Sequence, residues 1–142
     1  MNKEAMFSSN TDQWETPQVF FDKLNSEFGF TLDPCAEEQN HKCALYFTKE
    51  IDGLSQSWAG HRVFCNPPYG KEIKAWIEKS FREVYTGEAE LVVMLVPART
   101  DTAWFHDYIY NKSEIRFIKG RLKFGNSKNS APFPSMVVVF RK

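Results

Sequence analysis

Arg62-Val-Phe-Cys-Asn-Pro-Pro-Tyr-Gly70 is the stretch that decides how this chain is read. Val63, Phe64 and Cys65 form a short apolar run of the kind that makes a buried strand, and Pro67 and Pro68 stop it abruptly. A residue that precedes proline is pushed toward extended backbone, so Asn66 stands at the strand's end with restricted freedom. The product is a stiff platform that carries one amide, one aromatic ring and several backbone carbonyls. Ligands of α/β sheets bind at the carboxyl ends of strands, which is where this platform falls.

Downstream, Ile73, Trp76, Ile77, Phe81 and Val84 recur at helical spacing, which predicts a helix over residues 72–86 with Gly87 as its stop. Residues 91–96 are continuously apolar, as in a strand buried on both faces, and Pro97 ends them. Thr100 or Asp101 is expected to cap a short helix containing Trp104, Phe105 and Tyr108. Residues 115–118 and 121–124 suggest two strands around Lys119-Gly120, and residues 125–134 a polar loop. Residues 136–140 close the chain as a last buried strand.

Upstream, residues 1–13 are polar and read as a mobile arm. Thr16 as N-cap and Pro17 as first helical residue open a helix with Phe20, Leu24 and Phe28 on one face, closed by Gly29. Residues 30–33 read as a short strand ending in Asp33, and 46–48 as another; 36–45 are a polar helix or loop, and Asp52-Gly53 a turn. Strands alternating with helices, then an antiparallel piece, predict one α/β domain over residues 14–142. Its sheet is expected to be mostly parallel with antiparallel C-terminal strands and helices on both faces.

The chain has 142 residues, 42% of them apolar and 25% charged, with 13 phenylalanines, so its core is expected to be aromatic-rich. Its formal net charge is zero, which removes any global field for nucleic acid and leaves only local patches. The densest basic patch is Arg116, Lys119, Arg121 and Lys123, which is either a solvated face or a phosphate contact. Cys35, Cys43 and Cys65, with His41 nearby, fit no zinc spacing and read as ordinary thiols of a reducing compartment, so no metal is expected. No signal peptide is visible and no apolar run nears the ~18 residues of a membrane span.

A platform like Asn66 to Tyr69 suits a planar amine. Two acceptors, the Asn66 side-chain oxygen and the Pro67 carbonyl, would hold the two N–H groups of an exocyclic adenine amine and aim its lone pair at an electrophile. Tyr69 would stack on the base, which must be flipped out of a duplex to reach it. Asn-Pro-Pro-Tyr resembles the catalytic motif of S-adenosylmethionine-dependent amino-methyltransferases. Trp14 to Pro17, Leu32 to Ala36, Asn40, Asp52 to Leu54, Trp58, Leu95 to Thr102, Gly120 to Phe124 and Ala131-Pro132 extend the likeness. Together they resemble the phage-type DNA adenine-N6 methyltransferase (Dam) family, in that family's order, over residues 14–140.

The resemblance implies a reduced Rossmann-like methyltransferase fold, with S-adenosylmethionine as methyl donor and double-stranded, adenine-containing DNA as substrate. It also implies a phage- or prophage-encoded protein at work in a bacterial cytoplasm. It assigns Asn66, Pro67, Pro68 and Tyr69 to catalysis. Trp14, Thr16, Pro17, Asp33, Cys35 and Asp52 are assigned to the cofactor, and Arg99, Lys119, Arg121 and Lys123 to DNA. The usual Gly-x-Gly loop is absent, and Asp33-Pro-Cys-Ala36 stands in its place. Two alternatives stay open: the same chemistry on RNA or a protein glutamine, and a binding module without catalysis.

Overall fold

The computed structural model describes residues 13–142, so the arm expected at the N-terminus lies outside the described residues except for Gln13. The elements are α1 (Gln18–Phe28), a 3-10 turn (Gly53–Ser55), β1 (Arg62–Cys65), α2 (Ile73–Tyr85) and β2 (Leu91–Pro97). A π-helical turn (Phe105–Ile109), β3 (Glu114–Phe117) and β4 (Ser135–Arg141) follow. The sheet order is β1-β2-β4-β3. β1 runs parallel to β2 with Val63 opposite Val92. β4 runs antiparallel to β2 and to β3, with Val93 opposite Val139 and Arg116 opposite Val137.

The mostly parallel sheet expected from the sequence is corrected to a mixed one with a single parallel pair among the described strands. The expected strands at 30–33 and 46–48 shrink to parallel bridges, Leu32 to Val63 and Asp33 to Tyr46. Pro34 cannot donate to a ladder, and the chain turns back at once where Glu37 and Asn40 bridge. These bridges still continue the sheet: Phe64 N donates to the Leu32 carbonyl, and Phe47 N to that of Asp33, each at 3.0 Å. The expected hairpin over 115–124 is also corrected. β3 takes β4 as its partner, and residues 121–124 become an irregular strap that buries Phe124.

Side chains alternate across a strand, and this fixes the layers. Phe64 of β1 meets Phe21 of α1 edge-on at 5.1 Å, whereas Phe140, opposite Val92, meets Phe81 of α2 at 6.1 Å. Val92 pairs with Val63, the neighbour of Phe64 on the other face, so α1 and α2 lie on opposite faces. Every residue of β2 is buried, as its unbroken apolar run predicts. α1 buries Phe21, Leu24 and Phe28, with Phe20 only half-buried, so its inward stripe runs i, i+3, i+7. Gly29 closes it at φ +65°, its N–H on the Asn25 carbonyl. Thr102, rather than Thr100 or Asp101, caps the turn that follows β2: its hydroxyl accepts the Phe105 N–H at 3.3 Å.

Candidate functional site

Because β1 and β2 are parallel, the residues just beyond Cys65 and Pro97 emerge at the same end of the sheet. Asn66 is fixed there by three neighbours. Its amide nitrogen donates to the Trp14 carbonyl and, at 2.8 Å, to the Thr16 hydroxyl. Its Oδ1 and the Leu95 carbonyl, 2.6 and 2.8 Å from the Tyr69 hydroxyl, share that hydroxyl's one proton. Arg99 leans across from the end of β2, with Nη1 3.4 Å from the Tyr69 carbonyl. Arg99, which the resemblance assigns to DNA, thus stands at the same end of the sheet as Asn66.

Thr16 was expected to cap α1. Instead the helix has no side-chain cap, Pro17 occupies the cap position, and Thr16, 4% exposed, turns its hydroxyl to Asn66. Tyr69 was expected to stack on a base. Here its ring is 3% exposed and packs edge-on against Phe124 and Phe133, with centroids 6.2 and 5.6 Å away. Burial pushes its phenol well above the ordinary range, so it stays a hydrogen-bond donor. In this conformation Tyr69 braces Asn66 and offers no open face.

Beside Asn66 lies a cavity of about 360 Å³. Its walls include five of the six expected cofactor residues, Trp14, Thr16, Asp33, Cys35 and Asp52, together with Asn66 and Pro68. Pro17, Pro67 and Tyr69 do not line it. Asp33 is 5% exposed, and its carboxylate accepts the Lys42 backbone N–H at 2.9 Å. Loss of water raises its pKa to about 6, although N–H groups of Lys42 and Cys35 and the charge of Lys42 pull the other way. It is therefore no solvated turn acid. Asp52 adopts a left-handed backbone (φ 63°) that is uncommon outside glycine, and its carboxylate accepts the Ser55 hydroxyl at 2.6 Å.

Gly53 takes over the space-making task that the missing glycine loop leaves open. A Cβ at Gly53 would collide with the Pro34 carbonyl and touch Trp76, so only glycine lets this turn lie against the 33–36 segment. The thiols of Cys35 and Cys65 are pushed up by burial, and that of Cys43 reaches about 12, so all three stay protonated at neutral pH. Among the described residues no group of three His, Cys, Asp or Glu side chains could hold a metal ion, and no helix is long and apolar enough to cross a membrane.

The expected DNA contacts divide. Lys119, Arg121 and Lys123 are exposed on the strap after β3, outside the cavity. Arg116 is committed elsewhere: it holds Glu27 with two bonds of 2.7 and 2.6 Å, pairs with Glu114, and covers the Phe28 ring. It is a clamp between β3 and α1. Asn126 and Lys42 line the cavity without having been marked in the sequence, and Trp76, a core residue of α2 as its spacing predicts, also reaches the lining. Asn126 Nδ2 donates to the Gln13 carbonyl at 2.8 Å, its Oδ1 accepts the Glu15 N–H at 3.0 Å, and Gly125 N–H bonds the Glu15 carbonyl at 2.7 Å. No pattern in a loop rich in Asn and Ser marks one asparagine for a partner more than 100 residues away.

The fold and site define an α/β protein with a small-ligand cavity at the carboxyl ends of adjacent parallel strands, next to an immobilised amide. The family model described as DNA N-6-adenine-methyltransferase (Dam) matches residues 3–142. The chain belongs to this family of DNA adenine-N6 methyltransferases. Among its relatives is a DNA N-6-adenine-methyltransferase of Haemophilus phage HP1 (strain HP1c1), 30% identical over 148 residues, covering 99% of this chain and 84% of the relative. Another, of the same description, comes from Escherichia phage T1: 30% identical over 113 residues, covering 78% of this chain but only 46% of the longer relative.

Proposed function

We propose that this protein transfers a methyl group from S-adenosylmethionine to the exocyclic N6 amine of an adenine flipped out of double-stranded DNA. The observation that carries the reading is the Asn66 amide, held by Trp14, Thr16 and Tyr69 at the rim of the cavity, in a chain of the Dam family. The cavity volume lies in the range of about 300–1,000 Å³ usual for small-molecule sites. Its lining fits the donor's chemistry: the carboxylates of Asp33, Asp52, Glu37 and Glu72 suit ammonium and sulfonium charge and ribose hydroxyls. When bound, the donor supplies an electrophilic methyl group.

The chain's own part is positioning and electrostatics. A carbonyl oxygen has two acceptor sites, so Asn66 Oδ1, with Tyr69 on one, keeps the other for an amine N–H. The Pro67 carbonyl has no partner among the described residues and serves as the second acceptor. Proline fixes both, so they need no reorganisation as the amine nitrogen becomes positive, which is when they stabilise most. Lys119, Arg121 and Lys123 would hold phosphates, because only local charge is available to a protein of zero net charge. Arg99, beside the platform, would hold the extruded strand.

The test is nucleoside mass spectrometry on DNA from methylation-deficient bacteria that express the chain. N6-methyladenine should appear with the wild type and fall about 100- to 1,000-fold in N66A, the size of effect seen when a positioned polar group is removed from an oxyanion-type site. Folded wild type that leaves adenine unmodified, or N66A that keeps most of the activity, refutes the reading.

A further inference from the structure

Asn66 can face in only one direction. A backbone carbonyl accepts and never donates, so the group that meets the Trp14 carbonyl must be the amide nitrogen, which turns Oδ1 toward Tyr69. Trp14 alone would leave the amide free to pivot about that bond. The second constraint is Thr16, whose buried hydroxyl accepts from the same nitrogen at 2.8 Å. Thr16 is itself immobilised, because the strap Gln13–Glu15 before it is held by Asn126 and Gly125. Thr16 also lines the cavity, and no described residue accepts its own hydroxyl proton, which is left for the cavity's occupant.

We infer that Thr16 is a positioning residue for the transfer: through its hydroxyl it fixes the orientation of the Asn66 amide. A cavity occupant that accepts the Thr16 proton would strengthen the bond Thr16 accepts from Asn66, since hydrogen bonds in a chain polarise one another. Occupancy of the cavity and readiness of Asn66 would thus be linked through one side chain. This inference deepens the reading above and rests on it for its purpose, though not for its geometry.

The experiment compares T16V, which keeps the shape and removes the hydroxyl, with T16S, which keeps the hydroxyl. For each, kcat at saturating DNA and donor, S-adenosylhomocysteine affinity by calorimetry, and the ¹H–¹⁵N signals of the Asn66 side-chain amide (assigned by their loss in N66A) are measured. T16V should lower kcat about 100-fold, the usual effect of a misplacement near 1 Å. Its product affinity should fall by no more than about 10-fold, the loss of the one hydrogen bond Thr16 gives the occupant, which at RT ln 10 is about 1.4 kcal/mol. The Asn66 signals should move in T16V, and T16S should restore both kcat and signals. A loss confined to product affinity would make Thr16 a ligand contact only and overturn the inference. So would equal damage in T16V and T16S, or Asn66 signals unmoved in T16V. If the Asn66 signals move in a protein that methylates no adenine, the Thr16–Asn66 linkage stands and the functional reading falls.

Discussion

Replacing Asp33 with asparagine should stabilise the unliganded protein at neutral pH, and the gain should vanish in acid. The folded protein raises this carboxyl from an ordinary 3.8 to about 6, with burial as the largest cause. The native state therefore binds its proton more tightly than the unfolded chain does. Between those two values the unfolded chain holds fewer protons, so stability falls as pH rises through the window. Above pH 6 the ionised carboxylate costs the fold about 3 kcal/mol, and below about 4 the cost is gone. Asparagine mimics the neutral acid and keeps an acceptor for the Lys42 N–H. D33N should gain about 1–3 kcal/mol at pH 7.5, the upper figure being the full cost of ionisation. Urea unfolding of both proteins at about pH 7.5 and about pH 3.5, without ligand, measures it, and other titrating groups cancel in the difference. D33N less stable at pH 7.5, or a difference that ignores pH, would refute the reasoning. A carboxylate kept at such a cost is expected where it serves binding, so D33N should also weaken S-adenosylhomocysteine binding.

Other substitutions separate the fold from the site. G53A should destabilise by about 1–3 kcal/mol, because its methyl must displace the Pro34 backbone, and thermal unfolding will read it. R116A should lower stability by about 1 kcal/mol, since its pairs with Glu27 and Glu114 are a third or more exposed, and leave DNA affinity unchanged in a fluorescence-polarisation titration. K119A, R121A and K123A should do the reverse: unchanged unfolding, weaker DNA binding, and a salt slope smaller by about 0.9 for each phosphate that is no longer neutralised. Y69F should cost about 1–3 kcal/mol of stability, because Asn66 Oδ1 and the buried Leu95 carbonyl lose the one proton they share.

Local signals carried most of the fold. Strand β2 was legible because six apolar residues bounded by proline allow little else, and α2 because its apolar residues keep a helical period. The parallel bias was overestimated because pairing direction is not written in a strand's own composition. The antiparallel C-terminal strands expected from the sequence are there, with β4 antiparallel between β2 and β3. The strap at 121–124 has the alternation of a strand, yet β3 takes β4 as its partner and the strap pairs with no described strand, so tertiary competition overrode the pattern. In the site, residues that bend the backbone or carry a charge at a strand end (Asn66, Asp33, Asp52) could be named in advance. Thr16 was misread for a specific reason. Thr-Pro before an amphipathic run is a good local cap signal, and only the fold brings Asn66, 50 residues away, within 2.8 Å to claim the hydroxyl.

A short chain can lack the usual glycine loop because close approach belongs to a pair of surfaces, and either may supply the small residue. A glycine loop thins the wall that carries the acid. Here the acid's own segment, Asp33 to Ala36, is stiffened by proline and held by sheet bonds from Ala36 N to the Phe47 carbonyl and from Asp33 N to that of Leu45, both near 3 Å. The thin wall comes from the opposite side, where Gly53 packs under Pro34 and its carbonyl accepts the Trp58 indole N–H at 2.9 Å. Trp58 is buried and anchored in turn, its backbone N–H on Glu83 of α2 at 2.8 Å. The cavity floor is thereby tied to the helix that follows the platform, and α2 begins only three residues after Gly70. Trp58 thus matters to the cavity although it does not line it. W58F removes the indole N–H and keeps an aromatic ring, so it should loosen the Asp52-Gly53 turn before it unfolds the core. Faster hydrogen exchange at residues 52–56, with the exchange of β2 unchanged, would show that uncoupling; equal acceleration in both would mean that Trp58 is ordinary core and that the floor of the cavity is held by something else.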